Sequence, residues 1–297
     1  MNKIIVIILL IIIYILFETL NLCNIDSFDN VNEYILPKVI YGFWDNLEEN
    51  IVIQSHIRSW KKYLSSEWEI IILNKDNVHK YVDAEFMNKY GNGKVDVTRF
   101  SDFLRLELLT KNGGCWMDAG IFITNGKFIN NIYNDMIQNK YDGSFYEFNQ
   151  KTINKSFPYI ENWFMMAPKE SKILTDLYYE FNRAFEMDFL KYKKDVLIAS
   201  KINLQNTIGN NSDNTYLLQH AIFHYLFRNE NKYHIKLYDA SESFFRIQED
   251  NKWDNDATIN YIMKNNNWNS LYAIKLIKAN RYSIKDYKDY VRKIDSL

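Results

Sequence analysis

Residues 101–123 read SDFLRLELLTKNGGCWMDAGIFI, and the fold follows from how this stretch divides. Its first half continues a helix predicted over 95–111, in which Phe100, Phe103, Leu104 and Leu108 recur at helical spacing and face inward. Asn112-Gly113-Gly114 stops that helix, because glycine accepts the left-handed conformation at a helix C-terminus. Cys115 to Thr124, CWMDAGIFIT, then reads as one strand. Asp118 interrupts this apolar run. A carboxylate there either meets a ligand at the strand end or is buried at considerable cost, and the first option is favoured. Asp102 and Arg105 stand three apart on the helix and share a face. They either grip one ligand or form an ordinary ion pair worth a few tenths of a kcal/mol.

The pattern extends outward. Pro37 to Trp44 reads as a strand, residues 48–63 as a helix, and Trp68 to Leu73 as a continuous apolar strand of the doubly buried kind. A polar helix is predicted to begin over Asn74 to Tyr81. Strands alternating with helices imply an α/β fold, with a mostly parallel sheet covered on both faces. Ligands of such sheets bind beyond the carboxyl ends of the strands, where Asp118 is expected. After residue 126 come shorter aromatic runs around Tyr146, Phe148 and Trp163, a helix over 170–194, and a helix over 216–228. The polar stretch 200–215 is predicted to be a mobile loop. Ser283 to Leu297 is amphipathic, suited to packing on a core or touching an anionic membrane surface.

The chain has 297 residues with 36 basic and 37 acidic side chains, which argues against a nucleic-acid binder relying on bulk positive charge. Two cysteines, Cys23 and Cys115, make no disulfide framework and no CxxC metal pair. Only nine glycines occur, and six of them lie between Gly91 and Gly126, around the strand that carries Asp118. Nucleotide-binding glycine motifs, a nucleophile elbow and a cysteine–histidine arrangement are all missing from the sequence. At the amino terminus, Ile4 to Phe17 is an unbroken apolar run after Lys3. As a helix at about 1.5 Å per residue it approaches the thickness of a thin bilayer once Thr19, Leu20 and Leu22 are added. No small-x-small cleavage site follows, so an uncleaved signal-anchor over 1–22 is expected rather than a cleaved signal peptide. The charge pattern places its amino terminus in the cytosol and the body across the membrane, with secretion after cleavage as the alternative. Residues 23–34 then form a short stem and 35–297 one domain.

The block from Ser101 to Asp118 resembles the glycosyltransferase family 32 and capsular-polysaccharide-synthesis group, whose signature is SD-x-x-R, a leucine, then G-G-x-(aromatic)-x-D. Leu36-Pro37-Lys38-Val39-Ile40 with Trp44, Ser59-Trp60 with Tyr63, Trp68-Glu69-Ile70, Asn162-Trp163-Phe164, and Tyr216-Leu217-Leu218 with His220 extend the likeness over residues 35–228. The resemblance implies a GT-A fold, a Rossmann-like sheet holding a nucleotide-sugar donor, and transfer of a hexose-type sugar to a glycan or glycoconjugate acceptor with retention at the anomeric carbon. By this match Trp44 would stack on the base, Asp102 and Arg105 would hold the donor sugar and its diphosphate, and Asn162 would approach the transferred sugar. Asp118 would be the first carboxylate of a D-x-D motif meeting the ribose and a divalent cation, Mn²⁺ or Mg²⁺.

The sequence departs from D-x-D at its second acid, reading Asp118-Ala119-Gly120. Metal dependence is therefore open, and so is a second reading, a silent nucleotide-sugar or glycan binder. A third, a membrane-surface interaction protein, has only the two terminal helices behind it. His220 is either a further metal or phosphate ligand or a packed core histidine. His220 and His224 have the spacing of a zinc helix but lack its catalytic acid.

Overall fold

A computed structural model of the chain describes residues 33–205, 207–228 and 232–297. The apolar run Ile4–Phe17, Cys23 and most of the stem lie outside these residues. Among the described residues no helix is long and apolar enough to cross a membrane.

Strand β1 (Val39–Phe43) leads into helix α1 (Ile51–Tyr63), whose first turn is capped by Asn50 Oδ1 accepting from Ile53 N at 3.1 Å. Strand β2 (Glu69–Leu73) and the short helix α2 (Ala84–Tyr90) follow. Helix α3 (Val97–Asn112) starts where the Asp96 carboxylate accepts from the backbone of Thr98 and Arg99. It ends on Gly113, whose φ of 74° is left-handed. Strands β3 (Gly114–Met117) and β4 (Ile121–Ile123) come next, then helix α4 (Lys127–Asn139), β5 (Gly143–Glu147) and β6 (Ile160–Ala167). Helices α5 (Lys172–Met187), α6 (Phe189–Tyr192) and α7 (Leu218–Phe227) precede β7 (Ile235–Asp239). The chain closes with α8 (Arg246–Asp250), α9 (Asn255–Lys264), β8 (Ala273–Lys275), α10 (Lys278–Tyr282) and α11 (Tyr287–Asp295).

Among the described residues six strands form one sheet in the order β2-β1-β3-β6-β5-β7, and β4 pairs with β8 in a second, two-stranded sheet. The α/β class is as expected, but the large sheet is mixed. β1 runs parallel to β2 and β3, and β5 to β7, while β6 is antiparallel to both its neighbours. β2 is an edge strand with half-buried isoleucines, not a doubly buried one. The segment 115–124 is two strands in different sheets, not one, because Asp118-Ala119-Gly120 turns the chain between them. In place of one polar helix over 74–81 stand a single turn at Val78–Lys80 and the later α2. The helix expected over 170–194 breaks at Asp188, whose φ is 75°.

The described residues of 200–215 carry no helix or strand, but they are not an open loop: Ile202, Leu204 and Ile208 are buried, and Lys193 Nζ donates to the carbonyls of Ile208 and Ser212. α11 packs on α1 through buried Tyr290 and Ile294, and Arg58 makes two hydrogen bonds to Asp295 at 2.9 and 2.8 Å. Its apolar face is thereby used inside the protein.

Helix α1 braces the turn around Asp118. Trp60 Nε1 donates to Ile121 O at 2.8 Å, and Ser59 Oγ accepts from Ile123 N at 2.8 Å. His56 is fully buried between Ala119 O (3.3 Å from Nδ1) and the Tyr290 hydroxyl (2.9 Å from Nε2). A carbonyl only accepts, so Nδ1 carries the proton and Nε2 accepts from the tyrosine.

Candidate functional site

β1 and β3 are parallel, so Trp44 and Asp118, each just past a strand's last residue, emerge at the same edge of the sheet. β6 runs the other way, which brings its beginning to that edge: Asp118 N donates to Trp163 O at 2.9 Å, beside Asn162. α3 turns sharply into β3, so its amino-terminal half lies along the far end of that strand. Arg99, Asp102 and Arg105, at successive spacings of three, thus face the same edge.

Here these side chains meet others. Asp102 is buried; Arg99 Nη1 donates to its Oδ2 at 3.1 Å, Arg105 Nη2 stands 3.4 Å from Oδ1, and Asn162 Nδ2 donates to Oδ1 at 3.3 Å. Burial pushes the Asp102 carboxyl above its ordinary pKa, more than the two arginines pull it down. Gln219 ties the group together, donating to Asp102 O (3.0 Å) and accepting from Asn162 Nδ2 (2.9 Å). Arg105 also donates to Asn162 O at 2.6 Å and lies across the Trp116 ring. Arg99 reaches the backbone of Thr215 and Tyr216, fastening α3 to the approach to α7.

Asp118 is the most accessible carboxylate of the group, its side chain 27% exposed against 6% for Asp102. Its Oδ1 accepts from Trp116 Nε1 at 3.0 Å and lies 3.6 Å from Arg105 Nη2; its Oδ2 accepts from Lys275 Nζ at 2.8 Å. Burial pushes this carboxyl up, but Lys275, Arg105 and the two hydrogen bonds outweigh it and leave the pKa below the ordinary value. Asp118 is therefore charged at neutral pH.

Two cations come from a part of the chain where no functional residue was expected. Lys275 ends β8, which pairs with β4 directly after the Asp118 turn. Arg281, on α10, lies over the Trp44 ring at 5.2 Å and donates from Nη1 to Leu276 O. A Cβ on Gly120 would stand 3.0 Å from that same Nη1 and 3.0 Å from Leu276 O, so the guanidinium occupies the space a side chain at 120 would need. Nothing in the sequence near Lys275 or Arg281 carries a motif. The only available signal was the apolar AIKL run, which reads as a strand.

His220 takes another place. It is buried, its Nε2 lies 3.3 Å from Glu161 Oε2, its ring is tilted on Tyr159, and it makes no hydrogen bond or ion pair with Asp118. His224 Nε2 donates to Pro158 O at 3.1 Å. Among the described residues no three His, Cys, Asp or Glu side chains gather as metal ligands. At the D-x-D position itself, a divalent cation would find one carboxylate already held by an ammonium group and a guanidinium where the second acid would stand. This donor set does not fit a Mn²⁺ or Mg²⁺ site, which needs several oxygen ligands.

The chain is similar to the O-glycosyltransferase braB of Annulohypoxylon truncatum, 34% identical over 98 residues that cover 29% of this chain and 23% of that protein. It is also similar to the O-glycosyltransferase PaGT of Phomopsis amygdali, 23% identical over 149 residues, covering 46% of this chain and 36% of that protein. The matches thus span between about a quarter and a third of these relatives' length. Among solved structures it is similar to the galactosyltransferase LgtC in complex with donor and acceptor sugar analogues, with a TM-score of 0.45, 10% identity, and coverage of 87% of this chain and 96% of that one. The glycosyltransferase GlyE of Streptococcus pneumoniae TIGR4 gives a TM-score of 0.42, 11% identity, and coverage of 88% of this chain and 64% of that one. Capsular polysaccharide synthesis protein is the family matched by sequence, over residues 16–291, and the chain belongs to it.

Proposed function

We propose that the chain is a GT-A glycosyltransferase that moves a sugar from a nucleotide diphosphate donor to a glycan or glycoconjugate hydroxyl. The observation that carries this reading is Asp118, ionised and accessible at the carboxyl edge of the sheet, with Trp44, Asp102, Arg105 and Asn162 gathered around the same edge. Membership of a polysaccharide-synthesis family and the likeness to two O-glycosyltransferases support it.

In this reading Trp44 stacks on the base and Asp118 accepts hydrogen bonds from the ribose hydroxyls. Arg105 and Asn162, fixed by Asp102 and Gln219, hold the sugar. The anomeric C1–O bond breaks with its electron pair passing to the diphosphate oxygen, the acceptor oxygen bonds to C1, and the acceptor's proton ends on the departing diphosphate. Asp102 and Asp118 are both held by cations, so neither is offered as a proton acceptor. That favours front-face transfer with retention, in which the leaving group itself takes the proton. An amino-terminal signal-anchor would hold the domain at a membrane, on its far side.

Gly120 in place of a second acid favours one further reading, a binder of nucleotide-sugars that does not turn them over. Incubation with UDP-, GDP-, ADP- and dTDP-sugars, with and without Mn²⁺, separates the two. Release of free nucleotide from one donor is expected; tight binding of a donor without release would support the silent binder, and neither would overturn both.

A further inference from the structure

We propose that Lys275 and Arg281 supply the positive charge that a divalent cation would otherwise bring to the donor diphosphate, so that the chain acts without a bound metal ion. This rests on the nucleotide-sugar reading above and specifies how its leaving group is stabilised.

The first support is the state of Asp118. A divalent cation on this carboxylate would have to displace the Lys275 ammonium, 2.8 Å from Oδ2, and would sit close to Arg105, 3.6 Å from Oδ1. Like charges at such separations oppose each other strongly in a partly buried site. The second is Gly120: its missing side chain leaves the space that the Arg281 guanidinium fills. Loss of the second acid and gain of a cation are thus one arrangement at one position.

The third is the balance of charge. Arg99, Asp102, Arg105, Asp118 and Lys275 form a continuous chain of ion pairs, with Arg281 beside it. Four cations face two carboxylates, an excess of two positive charges, which matches the two negative charges of a sugar diphosphate. Arg281 has donors to spare: among the described residues its guanidinium makes one hydrogen bond, to Leu276 O, and no ion pair. It also lies on Trp44, so a base stacked near that ring would place its diphosphate within the reach of Arg281. When the C1–O bond breaks, the electron pair and the new charge go to the diphosphate oxygen, and fixed cations already in place stabilise it without reorganisation.

Calorimetric titration of the full chain with UDP, GDP, ADP and dTDP, in EDTA and in Mn²⁺, tests this. One of the four is expected to bind with the same Kd, within two-fold, in both buffers. Lys275→Ala and Arg281→Ala are each expected to weaken that binding at least ten-fold, with Lys275→Arg within three-fold of the parent and all variants melting cooperatively. Binding that appears only with Mn²⁺, or that neither alanine variant weakens, overturns the proposal while leaving the glycosyltransferase reading intact. Binding of none of the four in either buffer overturns that reading, and this proposal with it.

Discussion

At the scale of single residues, Asp118 and Gly120 define the proposed site and differ in how far the sequence exposed them. Asp118 stands out because a carboxylate inside CWMDAGIFI has no structural excuse, and the structure places it accessible at a strand end. Gly120 looks like a simple loss when read in sequence. Its meaning comes from Arg281, 161 positions further on, and no local pattern links the two. Gly120→Asp should therefore fail to create a metal site: the new side chain would collide with the Leu276 carbonyl and push Arg281 aside. We expect Gly120→Asp to lower the melting temperature, weaken nucleotide binding, and give no Mn²⁺ dependence; Mn²⁺-stimulated activity in that variant would count against the assignment of Arg281. That Asn162 and Arg105 lie in one cluster with Asp102 agrees with the motifs that singled them out. Gln219, which bonds to both Asp102 and Asn162, was not singled out, because a glutamine on an aromatic helix gives no signal.

Among elements, the decisive unit is α3, the Gly113-Gly114 turn and β3. Apolar spacing and two glycines were enough to predict it, and its tight reversal is what aligns Arg99, Asp102 and Arg105 with Asp118. Gly113 has a φ of 74°, and a Cβ there would lie 2.5 Å from Lys169 N. Backbone strain and this collision together predict that Gly113→Ala costs about 1–3 kcal/mol, visible as a lower urea midpoint. An unchanged midpoint would contradict the role given to the turn. Harder to read was the direction of β6. Its apolar run says strand, but only pairing with β3 and β5 reveals that it is antiparallel and so delivers Asn162 to the site. The split of 115–124 was hidden for a similar reason: both halves are apolar, and the turn between them is held by His56, Ser59 and Trp60 from α1.

On the scale of the whole molecule, the last quarter of the chain brings two cations to the proposed site. β8 pairs with β4, and α11 packs on α1, so Lys275 and Arg281 are anchored to the elements around Asp118. The motif-bearing residues end near 228, and for that reason the sequence did not single out Lys275 or Arg281. His56 links the same parts, and it makes stability depend on pH. Burial, reinforced by the charge of Arg281, lowers its pKa to about 3 in the folded chain. Below its unfolded pKa of about 6.5, the unfolded chain takes up a proton that folded His56 does not, so stability falls as pH drops from about 6.5 toward 3. The slope from this group is about 1.4 kcal/mol per pH unit in that window. Urea unfolding at pH 7, 6 and 5 should show it, and His56→Gln should flatten it; an equal slope in both proteins would exclude His56 as the source.

The most direct measurement of the central claim is turnover of the nucleotide-sugar donor by Asp118→Asn beside the parent chain. We predict that kcat/KM falls by at least about 100-fold, because the charged acceptor that holds the donor ribose is lost, while the melting temperature stays within a few degrees. Undiminished sugar transfer by Asp118→Asn would contradict the placement of the active site at the end of β3.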